Sequence, residues 1–158
     1  MLPTPYEADF YTWTQEQAAA LRRVASLRIN LPDVDLEHLA EEVEDMGNEI
    51  LAKIEGLVVQ ILVHLLKLEY CPDAEPRHHW RCEIDEWRDT VMLRAQRSPT
   101  ALKRLEIERL SIIAIKRLRR RYCGQTWTGE LPDHCPYTSA QILDEDFWPA
   151  SRHRLDDT

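Results

Sequence analysis

Four groups of residues in this chain have types and spacings that could do chemistry. The first is a run of carboxylates, Glu37, Glu41, Glu42, Glu44, Asp45 and Glu49. Carboxylates on facing helices can hold metal ions, and di-iron bundles use Glu together with Glu-x-x-His, since a three-residue step puts both ligands on one helix face. Here the nearest match is Asp35-x-x-His38, and Asp35 is better placed as a helix cap. The bland reading of the run is a solvated acidic first turn that complements the helix dipole. Within it Glu42 and Asp45 flank the apolar positions Leu39, Val43 and Met46, which makes these two the candidate functional carboxylates, one of them half-buried against an arginine.

The second candidate is His64, set among Ile61, Leu65 and Leu68. A histidine beside an apolar stripe is usually a core residue with a satisfied hydrogen bond; the sharper reading is a ligand or proton carrier. It cannot join Glu42 on one straight helix, being about 33 Å further along at about 1.5 Å per residue. The third group is Cys71, His78, His79 and Cys82, with Cys123 and then His134-Cys135. In an up-and-down bundle all of these reach one pole, where thiolates and imidazoles could take zinc. No Cys-x-x-Cys is present, so the expectation is no cofactor, with zinc at that pole as the one metal worth testing. A Cys–His nucleophile pair lacks an evident orienting group.

The fourth group is the basic run Lys116, Arg117, Arg119, Arg120 and Arg121. Cations at a helix C-terminus complement its dipole, and long stems cover apolar surface; an RNA or acidic-protein contact is the alternative. A net charge of −8 sets the mean surface against nucleic-acid phosphates. Trp80, Trp87, Phe147 and Trp148 read as core and lid aromatics. No Gly-rich phosphate loop, nucleophile elbow or His-Glu-x-x-His motif occurs.

The elements that position these groups are helical. Only 4 of 158 residues are Gly, and Leu, Glu, Arg and Ala fill the middle. Thr4-Pro5-Tyr6-Glu7 is a capping box, and Tyr6, Phe10 and Trp13 share a helix face. Thr14-Gln15-Glu16-Gln17 repeats the capping signature, so this region is one kinked helix or two, ending near Leu27. After a turn at Asn30–Asp33 a long helix runs to Tyr70, with Leu36, Leu39, Val43, Met46, Ile50, Ile54, Leu57, Ile61, Leu65 and Leu68 inward and bends expected at Gly47-Asn48 and Gly56. A third helix covers about 79–97, a fourth runs from Pro99 to Tyr122 and stops at Cys123-Gly124, and a capped short helix follows Thr138. The architecture expected is an all-α, antiparallel up-and-down bundle of about four main helices plus a short C-terminal helix, one domain over 1–149 with a loose polar tail at 150–158.

The motifs Tyr6-Glu7-Ala8-Asp9-Phe10-Tyr11-Thr12-Trp13-Thr14, Leu39-Ala40-Glu41-Glu42-Val43-Glu44-Asp45-Met46-Gly47, His64-Leu65-Leu66-Lys67, Cys135-Pro136-Tyr137 and Gln141-Ile142-Leu143-Asp144 also resemble a known family. The chain is similar, from about Tyr6 to Pro149, to the bacterial family called domain of unknown function twenty-nine. That resemblance implies a small all-helical bacterial protein and brings no activity or cofactor with it; Cys71, Cys82 and Cys123 do not look like family positions.

The functional expectation is a non-catalytic interaction or regulatory protein of the cytoplasm, acidic, with another protein as its partner. Nucleic acid is disfavoured by charge, and no apolar run is long enough to span a membrane. The alternatives are a metal-dependent enzyme in the bundle core and an RNA-contacting accessory protein using the basic helix end.

Overall fold

The structure is a computed structural model that describes residues 4–28, 31 and 33–155. Those residues form seven α-helices and a tight 3-10 turn. They are α1 (Pro5–Ala8), α2 (Phe10–Ser26), α3 (Leu36–Tyr70), α4 (Arg77–Arg97), α5 (Pro99–Lys103), α6 (Ile107–Arg121), the turn Thr126–Glu130, and α7 (Ser139–Leu143). No helix among the described residues is long and apolar enough to cross a membrane. The chain divides into two compact units, one of residues 1–54 with 93–105, the other of 55–92 with 106–158.

In the first unit the capping box at α1 forms as its sequence requires, Thr4 Oγ1 accepting from Glu7 N while Thr4 N donates to Glu7 Oε2. The second capping signature does not act. Thr14 lies inside α2, fully buried, and its hydroxyl donates to Tyr11 O at 2.7 Å. Asp9 caps α2 instead: Oδ1 accepts from Thr12 N at 3.2 Å and Oδ2 from Thr100 N at 3.1 Å. Asp9 thus ends α1 through its backbone N–H, which donates to Pro5 O, while its carboxylate starts α2 and fastens α5. Tyr6, Phe10 and Trp13 do share a face, with ring centroids 4.9–5.8 Å apart. The turn expected at Asn30–Asp33 lies partly outside the described residues.

The face that α3 buries in this unit differs from the one expected. Ala40 and Gly47 are buried, whereas Leu39 and Met46 are 45% and 51% exposed. The reason is how closely α2 approaches: a Cβ added to Gly47 would stand 2.1 Å from Thr14 Oγ1. Small residues line that contact and turn the larger ones outward. Gly47 and Gly56 do not interrupt the helix.

The second unit holds an up-down-up arrangement. The pairs His64–Glu83 and Lys67–Trp80 step oppositely along α3 and α4, so these two are antiparallel. Glu55–Arg109, with Lys67 and Arg121 on one cavity, step together along α3 and α6, which are therefore parallel. Ile61, Leu62, Leu65, Ile84, Leu110 and Leu118 fill the space between them. The fourth helix expected from Pro99 to Tyr122 is broken after Lys103 and restarts at Ile107, in a stretch of ordinary helix formers. Gly124 (φ +89°) carries the exit from α6.

Within the C-terminal tail, Arg152 and His153 are bonded to the end of α3. Arg152 N donates to Glu69 O at 2.9 Å, its guanidinium reaches Glu69 Oε1 and Tyr70 OH, and His153 Nε2 lies 2.9 Å from Tyr70 O. They close the open carbonyl end of α3.

Candidate functional site

The second unit contains a cavity of about 560 Å³ whose lining includes His64 and Lys67 of α3, His79, Trp80, Glu83 and Trp87 of α4, and Arg121 and Tyr122 at the end of α6. Its geometry follows from helix periodicity. His64 and Lys67 are three residues apart, as are Trp80 and Glu83, with Trp87 one turn further, so each set shares a face. The short connection between α3 and α4 then brings the faces together.

Glu83 is the hub. Its Oε2 lies 2.9 Å from His64 Nε2 and its Oε1 3.4 Å from His79 Nε2. His64 Nδ1 lies 3.1 Å from Gln60 O, and the ring meets Trp87 edge-on at 4.8 Å and Trp80 at 6.4 Å. Burial pushes the His64 pKa down to about 4, Lys67 adds to that, and Gln60 and Glu83 oppose it. The ring is therefore neutral near pH 7 and has one N–H for two oxygens. The carboxylate is the stronger acceptor, so we assign that hydrogen to Nε2, donating to Glu83.

Lys67 is 7% exposed, and its Nζ stands 4.0 Å over the Trp80 ring. Burial, then the charge of Arg121, lowers its pKa to about 8 against the pull of Glu83 and Cys71. Among the described residues no carboxylate lies within ion-pair distance of Lys67 or Arg121. Glu83 is engaged by both histidines, and Asp73 Oδ2 faces Cys71 Sγ at 3.6 Å. Two cations thus face an aromatic-walled space that Glu83 and Asp73 also line, with neither carboxylate within ion-pair distance of them. That arrangement can bind an anion whose body is flat and apolar, and it contains an amine of lowered basicity.

The other residues singled out by sequence fall elsewhere. Glu42 and Asp45 are exposed and make no ion pair among the described residues; the carboxylate of this run held by an arginine is Glu44, 2.6 Å from Arg22 Nη2. The cysteine–histidine pole does not assemble. Cys71 is buried, and burial pushes its thiol pKa up. Cys82 is exposed, 3.6 Å from His78 Nε2 on its own helix. Cys123 is exposed, Cys135 Sγ faces Tyr137 O at 3.2 Å, and His134 pairs with Glu108 at 2.9 Å. Among the described residues no three His, Cys, Asp or Glu side chains are placed to hold a metal ion. Cys71, Cys82 and Cys135 each have a different partner, respectively Asp73, His78 and Tyr137 O. In the basic run, Arg119 is spent on Leu131 O and Asp133, Arg121 borders the cavity, and Lys116, Arg117 and Arg120 are exposed.

Below the cavity the aromatic segment is pinned by Arg88, which is 2% exposed. Its Nε donates to Ile142 O at 3.0 Å and its Nη2 to Phe147 O at 3.1 Å. Trp148 lies over the guanidiniums of Arg81 and Arg88, and Tyr137 OH donates to Glu69 Oε2 at 2.7 Å. Trp148 thus covers two arginines. Lys67 and Glu83 carry no individual signal in the sequence beyond their helical spacing from His64 and Trp80.

The fold and the cavity define an all-α protein whose converging titratable groups lie at one end of an up-down-up set of helices. A family model described as "Domain of unknown function DUF29" matches residues 5–148, and the chain belongs to that family. The chain is also similar to a solved crystal structure, an alpha-helical protein of unknown function from Rhodospirillum rubrum ATCC 11170. The two are 33% identical with a TM-score of 0.74, over 92% of this chain and 93% of that one. No curated protein matches.

Proposed function

We propose that this is a non-catalytic regulatory protein of the bacterial cytoplasm that binds a small aromatic or planar anion in the Lys67–Arg121 cavity and passes its occupancy to a protein partner. The observation that carries the reading is the Lys67 ammonium, buried beside Arg121 without a carboxylate in ion-pair reach. Burying a charge is costly unless it is matched, and an anionic ligand supplies the match. Trp80 and Trp87 give the ligand two flat apolar walls in a lining that is otherwise largely polar and charged. The free thiols fit a reducing compartment.

Benzoate and phenyl phosphate are suitable probes, read by tryptophan fluorescence and by calorimetry. Saturable quenching is expected, and Lys67→Met should weaken it by roughly ten- to a hundredfold, the worth of one charge-assisted contact. No saturable response to either anion, or an unchanged affinity in Lys67→Met, overturns the reading.

A further inference from the structure

We propose that Lys67 is a nucleophilic amine which holds an aldehyde or ketone ligand as a reversible imine; this deepens the anion-binding reading above and rests on it. The chain has four lysines, Lys53, Lys67, Lys103 and Lys116, and Lys67 alone is buried. Its Nζ stands 4.0 Å over the face of Trp80, and both residues line the cavity. A lysine becomes a nucleophile when it is desolvated or set beside another cation, and Lys67 has both conditions, burial first and Arg121 second. Its pKa of about 8 leaves roughly a tenth of the molecules as free amine one pH unit below that value. The groups that face it are neutral His64 on its own helix, Glu83 and His79 on α4, Arg121 on α6 and Asp73 on the connection.

The step balances within the site. The nitrogen lone pair bonds to the carbonyl carbon, and the carbon–oxygen π pair moves to oxygen. That oxygen then leaves as water with the two hydrogens the free amine carried, and the carbon–nitrogen double bond closes. The proton separating ammonium from amine goes to solvent. Nothing is oxidised or reduced. The cations suit a ligand that carries a carboxylate or phosphate as well as the carbonyl, and the tryptophans suit a planar one.

The test uses 4-carboxybenzaldehyde with borohydride, which reduces any imine to a stable secondary amine, followed by peptide mapping. Lys67 should be modified at least about tenfold faster than Lys53, Lys103 and Lys116, since a lowered pKa supplies more free amine at neutrality. Benzoate, which lacks the carbonyl, should protect Lys67 and leave the other three unchanged. Lys67→Arg should lose the adduct at the cavity while Lys53, Lys103 and Lys116 are modified as in the parent. Equal modification of all four lysines, or a slower rate at Lys67, overturns the proposal. If benzoate binds and protects nothing while Lys67 stays unmodified, the imine fails and the anion reading stands; if benzoate does not bind and Lys67 is unmodified, both fail.

Discussion

Two glycines of one helix should respond in opposite ways to the same substitution. An alanine in a helix interior is ordinarily better than glycine by about 0.5–1 kcal/mol. At Gly56, exposed and with nothing within 4 Å of the added Cβ, Gly56→Ala should gain that amount. At Gly47 the new Cβ would sit 2.1 Å from Thr14 Oγ1, 3.1 Å from Gln15 Nε2 and 3.3 Å from Thr14 Cβ. Thr14 has no exposed surface and its hydroxyl is committed to Tyr11 O, so it cannot swing aside. Overpacking of this kind costs about 1–3 kcal/mol, and a clash more than an ångström deep belongs in the upper half of that range. Subtracting the propensity gain leaves Gly47→Ala destabilised by about 1–2 kcal/mol, or about 2–8 °C in Tm for a chain of this length. Urea unfolding followed by far-ultraviolet dichroism measures it, with an unchanged slope showing that the loss is stability. Thr14→Ala added to Gly47→Ala should recover at least about 1 kcal/mol relative to the sum of the single changes. A Gly47→Ala protein as stable as its parent would refute the close approach of α2, and with it the reason Leu39 and Met46 face solvent.

Arg88→Ala should cost about 2–4 kcal/mol, because the carbonyls of Ile142 and Phe147 lose their buried donor; Arg88→Lys should recover little of it, lacking the planar fork. Burial works to raise the Asp9 pKa, but hydrogen bonds from Thr100 and Thr12 outweigh it and hold the carboxyl below its ordinary value. Its contribution is therefore present above the unfolded-state pKa and lost as pH falls through the lower folded value, so Asp9→Asn should flatten the acid limb of the stability profile. Lys67 has the opposite linkage: its folded pKa of about 8 lies under the ordinary 10.5, so ammonium burial costs stability below about 8 and the cost fades as pH rises towards 10.5. Lys67→Met should accordingly be more stable than the parent by about 1–2 kcal/mol near neutrality and lose that advantage at the alkaline end, as thermal melts across pH will show. An advantage independent of pH would mean that Met packing, not charge, is the cause.

The helical class, the family and the caps at Thr4 and Thr138 are legible in the residues, because each rests on spacing within a few positions. What spacing hides is distance along the chain. Thr14 has the sequence of a cap, yet it is buried inside α2, and Asp9 takes the capping role because a Thr100 amide ninety-one positions away stabilises the same carboxylate. The stripe Leu39, Val43, Met46 follows from ranking residues by size, but a close helix pair selects the small ones, Ala40 and Gly47. At the cavity, His64 stands out by its apolar neighbours. Its partner Glu83 does not, because pairing depends on the register between α3 and α4, which no single motif encodes. The cysteine pole shows the same gap: topology brings helix ends together without saying which way a thiol points.

The strap of Arg152 and His153 over the end of α3 has a consequence for how the chain is made. Lys67 O and Leu68 O are met by Cys71 and Arg77, but the last two carbonyls of the helix, on Glu69 and Tyr70, are met by residues more than eighty positions on, so they stay open to water while the ribosome is still reading the intervening codons. Nascent chains halted before Arg152 should therefore fray at Glu69 and Tyr70 and no further, because Arg77 already holds Leu68 O.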